Sequence, residues 1–371
     1  MNITLTAKVQ IIVNNEDSAT LKETLDAYKD ACNEVSDFVY SSKILRPYSL
    51  QSSLYHKLRA DYGLKSQMAQ SVMKTVTAKY KTVKSLGHPW NKITFSKPQI
   101  DLVWNRDYSL KGDTLSVNTL QGRRKFKFHI GGMERYFSSE CKFGTAKLVF
   151  KKSKWYLHIS ATLECDDSNI SDTVNIVGID RGINFLACAY SSDGKTSFAS
   201  GKTVKQKRAH YKSLRKELQQ VGTPSSRRRL KAIGNRENRY INDVNHCISK
   251  ALVSENPEHT LFVLEDLSNI RNSTEKVRIK DRYVSVSWPF YDLEQKLMYK
   301  AAMHSDIVIK VNPAYTSQTC PICGCVHKQS RDKKKHIYKC QSCGYTSNDD
   351  RIAAMNLHHM GIEYLKGAVT V

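Results

Sequence analysis

Apolar and polar residues alternate at the start of the chain. Ile3-Thr-Leu-Thr-Ala-Lys-Val-Gln-Ile-Ile-Val13 is β-branched with a period of two and predicts a strand over 3–13. The period then lengthens. Leu21, Leu25, Tyr28, Cys32, Val35 and Val39 recur at helical spacing and predict a helix over Ser18–Tyr40. A second helix is expected around Gln51–Tyr62. Met68, Val72, Val76, Tyr80 and Val83 form the inner stripe of a third over Ser66–Leu86, which stops at Gly87-His-Pro89. Short alternating runs follow at Gln99–Trp104, Thr114–Asn118, Lys125–Ile130, Ala146–Lys151 and Trp155–Leu163, with turns at Lys111-Gly-Asp113 and Lys152-Ser-Lys154. This reads as an antiparallel barrel or sandwich joined by the first strand, with the 15–90 helices inserted.

After Asp166-Asp-Ser168 the pattern becomes mixed α/β. Strands are expected at Val174–Asp180, Phe185–Ser192, Thr260–Glu265 and Ile307–Val311, with a turn at Asp193-Gly194. Helices are expected at Lys205–Gln220, Arg227–Ser254, Trp288–His304 and Asp350–Leu365. The chain shows no repeats.

The 371 residues, 40% of them apolar, suffice for two or three domains with real cores. Lys and Arg number 58 against 35 Asp and Glu, a formal charge of +23 that implies a polyanionic partner, nucleic acid before an anionic membrane face. No apolar run reaches the roughly 18 residues of a membrane span, and the N-terminus has no signal-peptide core, so a cytoplasmic protein without a membrane partner is expected. Cys32, Cys141, Cys165, Cys188 and Cys247 are scattered through periodic segments and read as reduced thiols.

Chemistry concentrates in three acids and four cysteines. Asp180 ends the apolar run Ile176-Val-Gly-Ile-Asp180, Glu265 ends Leu261-Phe-Val-Leu-Glu265, and Asp350 opens a helix whose Ala353-Ala354 pair allows close packing. Singly, each is more readily a turn former, a surface partner or a helix cap. Jointly, they could meet as the hard oxygen ligands of a magnesium pair for phosphodiester hydrolysis. Asp266 and Asp349 compete with Glu265 and Asp350. Cys320, Cys323, Cys340 and Cys343 form two CxxC knuckles with sixteen residues between them, the spacing of a zinc ribbon, while Cys325 is a spare that could be confused with Cys323. Four thiolates leave no open position, so one structural ion is expected.

Candidate contacts to nucleic acid are Arg123, Arg124 and Lys125 on a basic, aromatic-interleaved strand and Arg208, Arg215, Arg227, Arg228 and Arg229 on the basic helices. Lys333 and Lys334 lie in a knuckle loop that also carries Arg331, Lys335 and His336. The strand has a plain amphipathic reading as its alternative, and the basic helices that of a solvent-facing pair.

Gly178-Ile-Asp-Arg-Gly182, Leu264-Glu-Asp-Leu267, Thr316-Ser-Gln-Thr-Cys-Pro-Ile-Cys-Gly324, Cys340-Gln-Ser-Cys-Gly344 and Asn348-Asp-Asp-Arg-Ile-Ala-Ala-Met-Asn356 resemble, in order and spacing, the TnpB proteins of insertion sequences, compact relatives of type V CRISPR effectors. The resemblance implies a multidomain α+β chain: a wedge-like β-barrel (1–14 and 91–168), a helical recognition domain (15–90), a RuvC-like nuclease of RNase H fold (169–312 and 348–371) and an inserted zinc ribbon (313–347). It implies Asp180, Glu265 and Asp350 as acids holding two Mg²⁺ ions, and one Zn²⁺ on the four cysteines. A guide RNA from the transposon end would direct cleavage of double-stranded DNA beside a short target-adjacent motif, and the transposase of the same element is a further expected partner. Ile352 stands where many relatives have Asn; alignment on Ala353-Ala354 still selects Asp350 over Asp349. The alternatives are a compact CRISPR effector, a guided DNA-binding repressor with a decayed nuclease, and a guide-independent nuclease or transposase.

Overall fold

The computed structural model describes residues 2–97, 99–138, 140–267, 290–332 and 335–369, which form two compact units, Asn2–Glu164 and Cys165–Val371. Among these residues no helix is long and apolar enough to cross a membrane.

In the first unit β1 (Asn2–Ile12) is followed by three helices, α1 (Asn15–Ser42), α2 (Pro47–Tyr62) and α3 (Ser66–Ser85). Six strands then follow: β2 (Ile100–Leu102), β3 (Tyr108–Lys111), β4 (Thr114–Thr119), β5 (Gly122–His129), β6 (Cys141–Lys151) and β7 (Lys154–Glu164). They make one antiparallel sheet in the order β2-β6-β7-β1-β5-β4-β3. The helices are thus an insertion between β1 and β2. The sheet nearly closes: the Tyr108 hydroxyl of β3 donates to the Gly144 carbonyl of β6 at 2.7 Å, and Trp104 packs on Tyr108 and Phe143. One apolar cluster runs from Ala7, Val9 and Trp155 of the sheet to Leu21, Tyr28, Val72 and Tyr80 of the helices. The four-residue β3 was not anticipated, because Tyr108-Ser-Leu-Lys111 is too short to display a period.

The second unit is built on a five-stranded sheet, β10-β9-β8-β11-β12. Its strands are β8 (Asn175–Asp180), β9 (Phe185–Ser191), β10 (Thr196–Ser200), β11 (Thr260–Glu265) and β12 (Ile307–Val311). β8, β11 and β12 are parallel, whereas β9 and β10 are antiparallel to their neighbours. Its helices among the described residues are α4 (Lys202–Val221), α5 (Pro224–Ile233), α6 (Arg236–Ser254), α7 (Phe290–Ala302) and α8 (Asp349–Val369). The helix expected over Arg227–Ser254 divides because Gly234 turns the backbone out of the helical region, at φ 43° and ψ −124°. Part of the helix expected from Trp288, residues 288–289, lies outside the described residues. A small sheet, β13 (Arg331–Asp332), β14 (Ile337–Lys339) and β15 (Thr346–Asn348), precedes α8.

Strand parity sets the two faces of the five-stranded sheet. Val177, Ile179, Phe262 and Leu264 point to one side, where Leu252 and Val253 of α6 and Leu297 and Ala301 of α7 cover them. Ile176, Leu261 and Val263 point to the other, against Leu357 of α8. α8 lies so close on this face that a Cβ at Gly178 would fall 2.1 Å from the Ala354 carbonyl oxygen. One at Gly361 would fall 2.7 Å from Cγ2 of Ile176 and of Val263.

Candidate functional site

Three acids are brought to one corner by this packing. Asp180 continues the Ile176–Gly178 face of β8, and Glu265 continues the Leu261–Val263 face of β11; both strands end there, in parallel register. Ala354 sits on Gly178, and Gly361 sits nearer the strand starts, on Ile176 and Val263, so α8 runs back along the sheet and its first turn overhangs the strand ends. Asp350 is one turn before Ala354, on the inner stripe 350, 354, 357, 361. Sequence left Glu265 and Asp266 open. Asp266 belongs to the opposite parity, half exposed, with Lys310 4.0 Å away.

The electrostatics agree. Burial raises the Asp180 carboxyl well above the ordinary carboxylate range, and the charges of Glu265 and then Asp350 add to the shift. Glu265 is raised by burial, opposed by a hydrogen bond from Thr316 Oγ1 and by Arg181. Asp350 is raised by burial and by Asp349 beside it. The ionisation of Asp180 is thus opposed by both of the other acids. Arg181 braces the corner: its Nη1 donates to Glu294 Oε2 at 3.0 Å in a buried ion pair, and its Nη2 donates to the Glu265 carbonyl.

Arg331 of β13 also reaches this corner. Its Nε donates to Asp349 Oδ2 at 2.8 Å, and its Nη2 is 3.6 Å from Asp350 Oδ1. Sequence identified Arg331 only as one charge of a basic loop, because no spacing in the chain relates the loop to the acids. His336, Asp349 and Asp350 each offer a ligand atom within 4.8 Å of the others, a constellation equally hidden in the sequence.

The four cysteines converge separately. Cys320, Cys323, Cys340 and Cys343 have sulfurs all within 4.8 Å, with Cys320–Cys343 and Cys323–Cys340 each at 3.6 Å. The two knuckles match: Gly324 N donates to Cys320 O and Cys320 N to Cys325 O, as Gly344 N does to Cys340 O and Cys340 N to Tyr345 O. Cys325 therefore holds the place of Tyr345, outside the cluster. The Cys343 amide, joined by that of Ser342, points at Cys340 Sγ from 3.4 Å and lowers its thiol, while burial and the neighbouring sulfurs push the Cys343 thiol up. Ile352 of α8 packs with Cys320, Tyr338 and Cys340, which ties the cluster to the helix that carries Asp350.

The expected nucleic-acid contacts separate. Arg227, Arg228 and Arg229 are exposed on α5. Arg208 is a correction: only 4% exposed, it is turned inward to an ion pair with Glu237 of α6, because helix periodicity cannot tell a solvated arginine from one that closes a helix pair. Arg215 also pairs with Glu237, at 2.5 Å. In the other unit Arg123 and Lys125 are exposed on β5, and Arg124 is half-buried. The Arg123 fork is already used by Ser116 and Ser109. Lys333 and Lys334 lie outside the described residues.

Residues 159–274 match a family model described as a probable transposase, and residues 290–357 match a Cas12f1-like TNB domain. Over 94% of its length the chain superposes on 83% of a Cas12f1 chain from a complex with guide RNA and target DNA, with a TM-score of 0.65 at 14% identity. A chain titled as the mini-RNA-guided endonuclease CRISPR-Cas_phi3 superposes with a TM-score of 0.61 at 13% identity, covering 97% of this chain and 92% of that one. The fold is thus that of Cas12-type effector chains.

In sequence the chain is similar to the TnpB-like proteins. It is 28% identical to one from Methanocaldococcus jannaschii, over 67% of this chain and 91% of that protein. It is also 30% identical to a CRISPR-associated endodeoxyribonuclease Cas12f1 of Sulfoacidibacillus thermotolerans, over 61% of this chain and 55% of the relative. With the putative RNA-guided DNA endonuclease InsQ of Escherichia coli it shares 28% identity over 61% of this chain and 59% of that protein. The chain spans about half the length of the first curated relatives it matches, 55% and 47%.

Proposed function

We propose that this protein is an RNA-guided DNA endonuclease of transposon origin, and that Asp180, Glu265 and Asp350 are its catalytic acids. The observation that carries the reading is their convergence, from segments far apart in sequence, at one sheet corner where each carboxyl is raised by burial and that of Asp180 also by Glu265 and Asp350. A corner that penalises its own ionisation is one that divalent cations stabilise. The sheet order β10-β9-β8-β11-β12, with an antiparallel hairpin beside parallel strands, supports an RNase H-like, RuvC-type assignment.

Two magnesium ions would supply Lewis acidity and an activated water. The three acids would hold them with hard oxygen donors, on two strand ends and a helix start rigid enough to keep the spacing. Arg331 would bring a fixed positive charge to the phosphodiester, and Thr316 would orient Glu265. The four thiolates suit one zinc: tetrahedral Zn–S bonds set sulfurs about 3.8 Å apart, close to the 3.6 Å separations found. With +23 formal charge the chain can grip a guide RNA and its heteroduplex by their backbones while base pairing selects the target beside a short adjacent motif.

The test is to purify the protein with its co-purifying RNA, sequence that RNA, and assay matching double-stranded DNA with Mg²⁺ and with chelator. Mg²⁺-dependent cleavage that requires the RNA is expected, and Asp180→Ala should abolish it while RNA and target binding persist. Cleavage without RNA would favour the guide-independent nuclease, and target binding without cleavage would favour the repressor.

A further inference from the structure

The acid beside Asp350 has no part in that reading, yet it is the more enclosed of the two. Asp349 is fully buried, and both carboxylate oxygens are engaged: Oδ2 by Arg331 Nε at 2.8 Å, Oδ1 by His336 Nδ1 at 3.2 Å. Both partners come from the β13–β14 hairpin and its turn. The imidazole is fixed by its other nitrogen. Asn184 Oδ1 accepts from the Lys205 ammonium, so the amide turns its NH₂ to His336 Nε2, 2.8 Å away, and Nδ1 carries the proton given to Asp349. Asn184 is held in turn, its carbonyl accepting from Gly201 N at 2.7 Å, four residues after Asp180. Asp349 N and Asn348 Nδ2 both donate to the His336 carbonyl at 3.3 Å.

Two oriented partners on one buried carboxylate leave Arg331 little freedom. The long, flexible side chain is held with Nη2 3.6 Å from Asp350 Oδ1. We propose that Asp349, together with His336, is a positioning residue that holds the Arg331 guanidinium over the carboxylate cluster. It acts on the reaction through Arg331 and not as a ligand or a proton carrier. The inference rests on the nuclease reading above.

The test is a double-mutant cycle in the full chain with its RNA and zinc, using Asp349→Ala, Arg331→Ala and the double variant. Three readouts are taken: zinc content and melting temperature, cleavage rate at saturating Mg²⁺, and hydrogen exchange of the Arg331 Nε–H signal in protein labelled with ¹⁵N-arginine. Each single variant should slow cleavage about 10–100-fold, the usual cost of removing an outer-shell partner, with zinc content unchanged. The double variant should be no slower than Arg331→Ala. Full activity in Asp349→Ala, or a double variant that falls by the product of the two single effects, overturns the proposal. If Asp349→Ala loses zinc or its fold, Asp349→Asn, which keeps the shape and one acceptor oxygen, takes its place in the cycle. Should the wild-type protein cleave nothing, the nuclease reading fails and the exchange measurement decides alone. Slow Arg331 Nε–H exchange lost in the variant sustains the positioning role, and fast exchange in both ends it.

Discussion

At the scale of single residues, Gly178 does most to place the site. A methyl group there would meet the Ala354 carbonyl oxygen at 2.1 Å and the His358 amide nitrogen at 2.4 Å, and backbone atoms cannot swing aside as a side chain would. Gly178→Ala must therefore lift α8 from β8. A cost of about 3 kcal/mol, at the upper end for an added methyl group in a packed core, is expected in urea unfolding, together with lost cleavage, because Asp350 rides on α8. Gly194→Ala, with nothing within 4 Å of its Cβ but a φ of 80°, should strain its own turn and leave the acids in place.

The acids themselves make a pH prediction. Asp180, Glu265 and Asp350 all have raised native pKa values, chiefly from burial. Between the ordinary carboxylate value of about 4 and the raised one, the native state binds more protons than the unfolded chain, so stability falls as pH rises through that window. Chelator-treated protein should accordingly melt higher as pH drops from neutral toward the acid side of the window. Asp180→Asn should flatten that slope and raise the melting temperature near neutrality, and Mg²⁺ should reverse the wild-type trend. A flat wild-type profile would show that these carboxylates ionise freely, and a slope of the opposite sign that the fold favours their charged form. Asp180 was legible in the sequence because it ends an apolar strand, and Glu265 only as one of a pair with Asp266 that the register of β11 then separates. Arg331, His336 and Asp349 were not, because their relation exists only once the hairpin folds back on α8.

At the scale of elements, the four-cysteine ribbon and α8 behave as one object. Cys320, Tyr338 and Cys340 share a buried cluster with Ile352, two residues beyond Asp350. Disrupting the knuckles should therefore reach the acids through packing. Cys340→Ser is expected to abolish zinc binding and to increase hydrogen exchange in the first turns of α8 while that of β8 and β11 changes little; structural zinc sites contribute folding energy directly. Unchanged protection in α8 would mean that the ribbon is ornamental to the corner. The knuckle spacing was readable from sequence because chelation is local. The division of the helix after Arg227 was not, since Gly234 costs only about 1 kcal/mol in a helix and its neighbours continue the basic pattern.

At the scale of the whole molecule, the charge is shared between the two units. Residues 1–164 carry 26 Lys and Arg against 14 Asp and Glu, and residues 165–371 carry 32 against 21, so the two excesses are nearly equal. The first unit also has a complete core of its own, in which the inserted helices and the sheet form one apolar cluster. Residues 1–164 should consequently fold alone and unfold cooperatively, with a single transition by circular dichroism and by tryptophan fluorescence. Because affinity for single-stranded RNA falls with salt in proportion to the phosphates neutralised, the full chain should show a steeper dependence on salt than the first unit does. Equal slopes would mean that the second unit's excess never reaches the RNA backbone, leaving the exposed Arg227, Arg228 and Arg229 of α5 as solvated surface. A slope close to double would assign both units to the same polyanion, as a guide and its heteroduplex require.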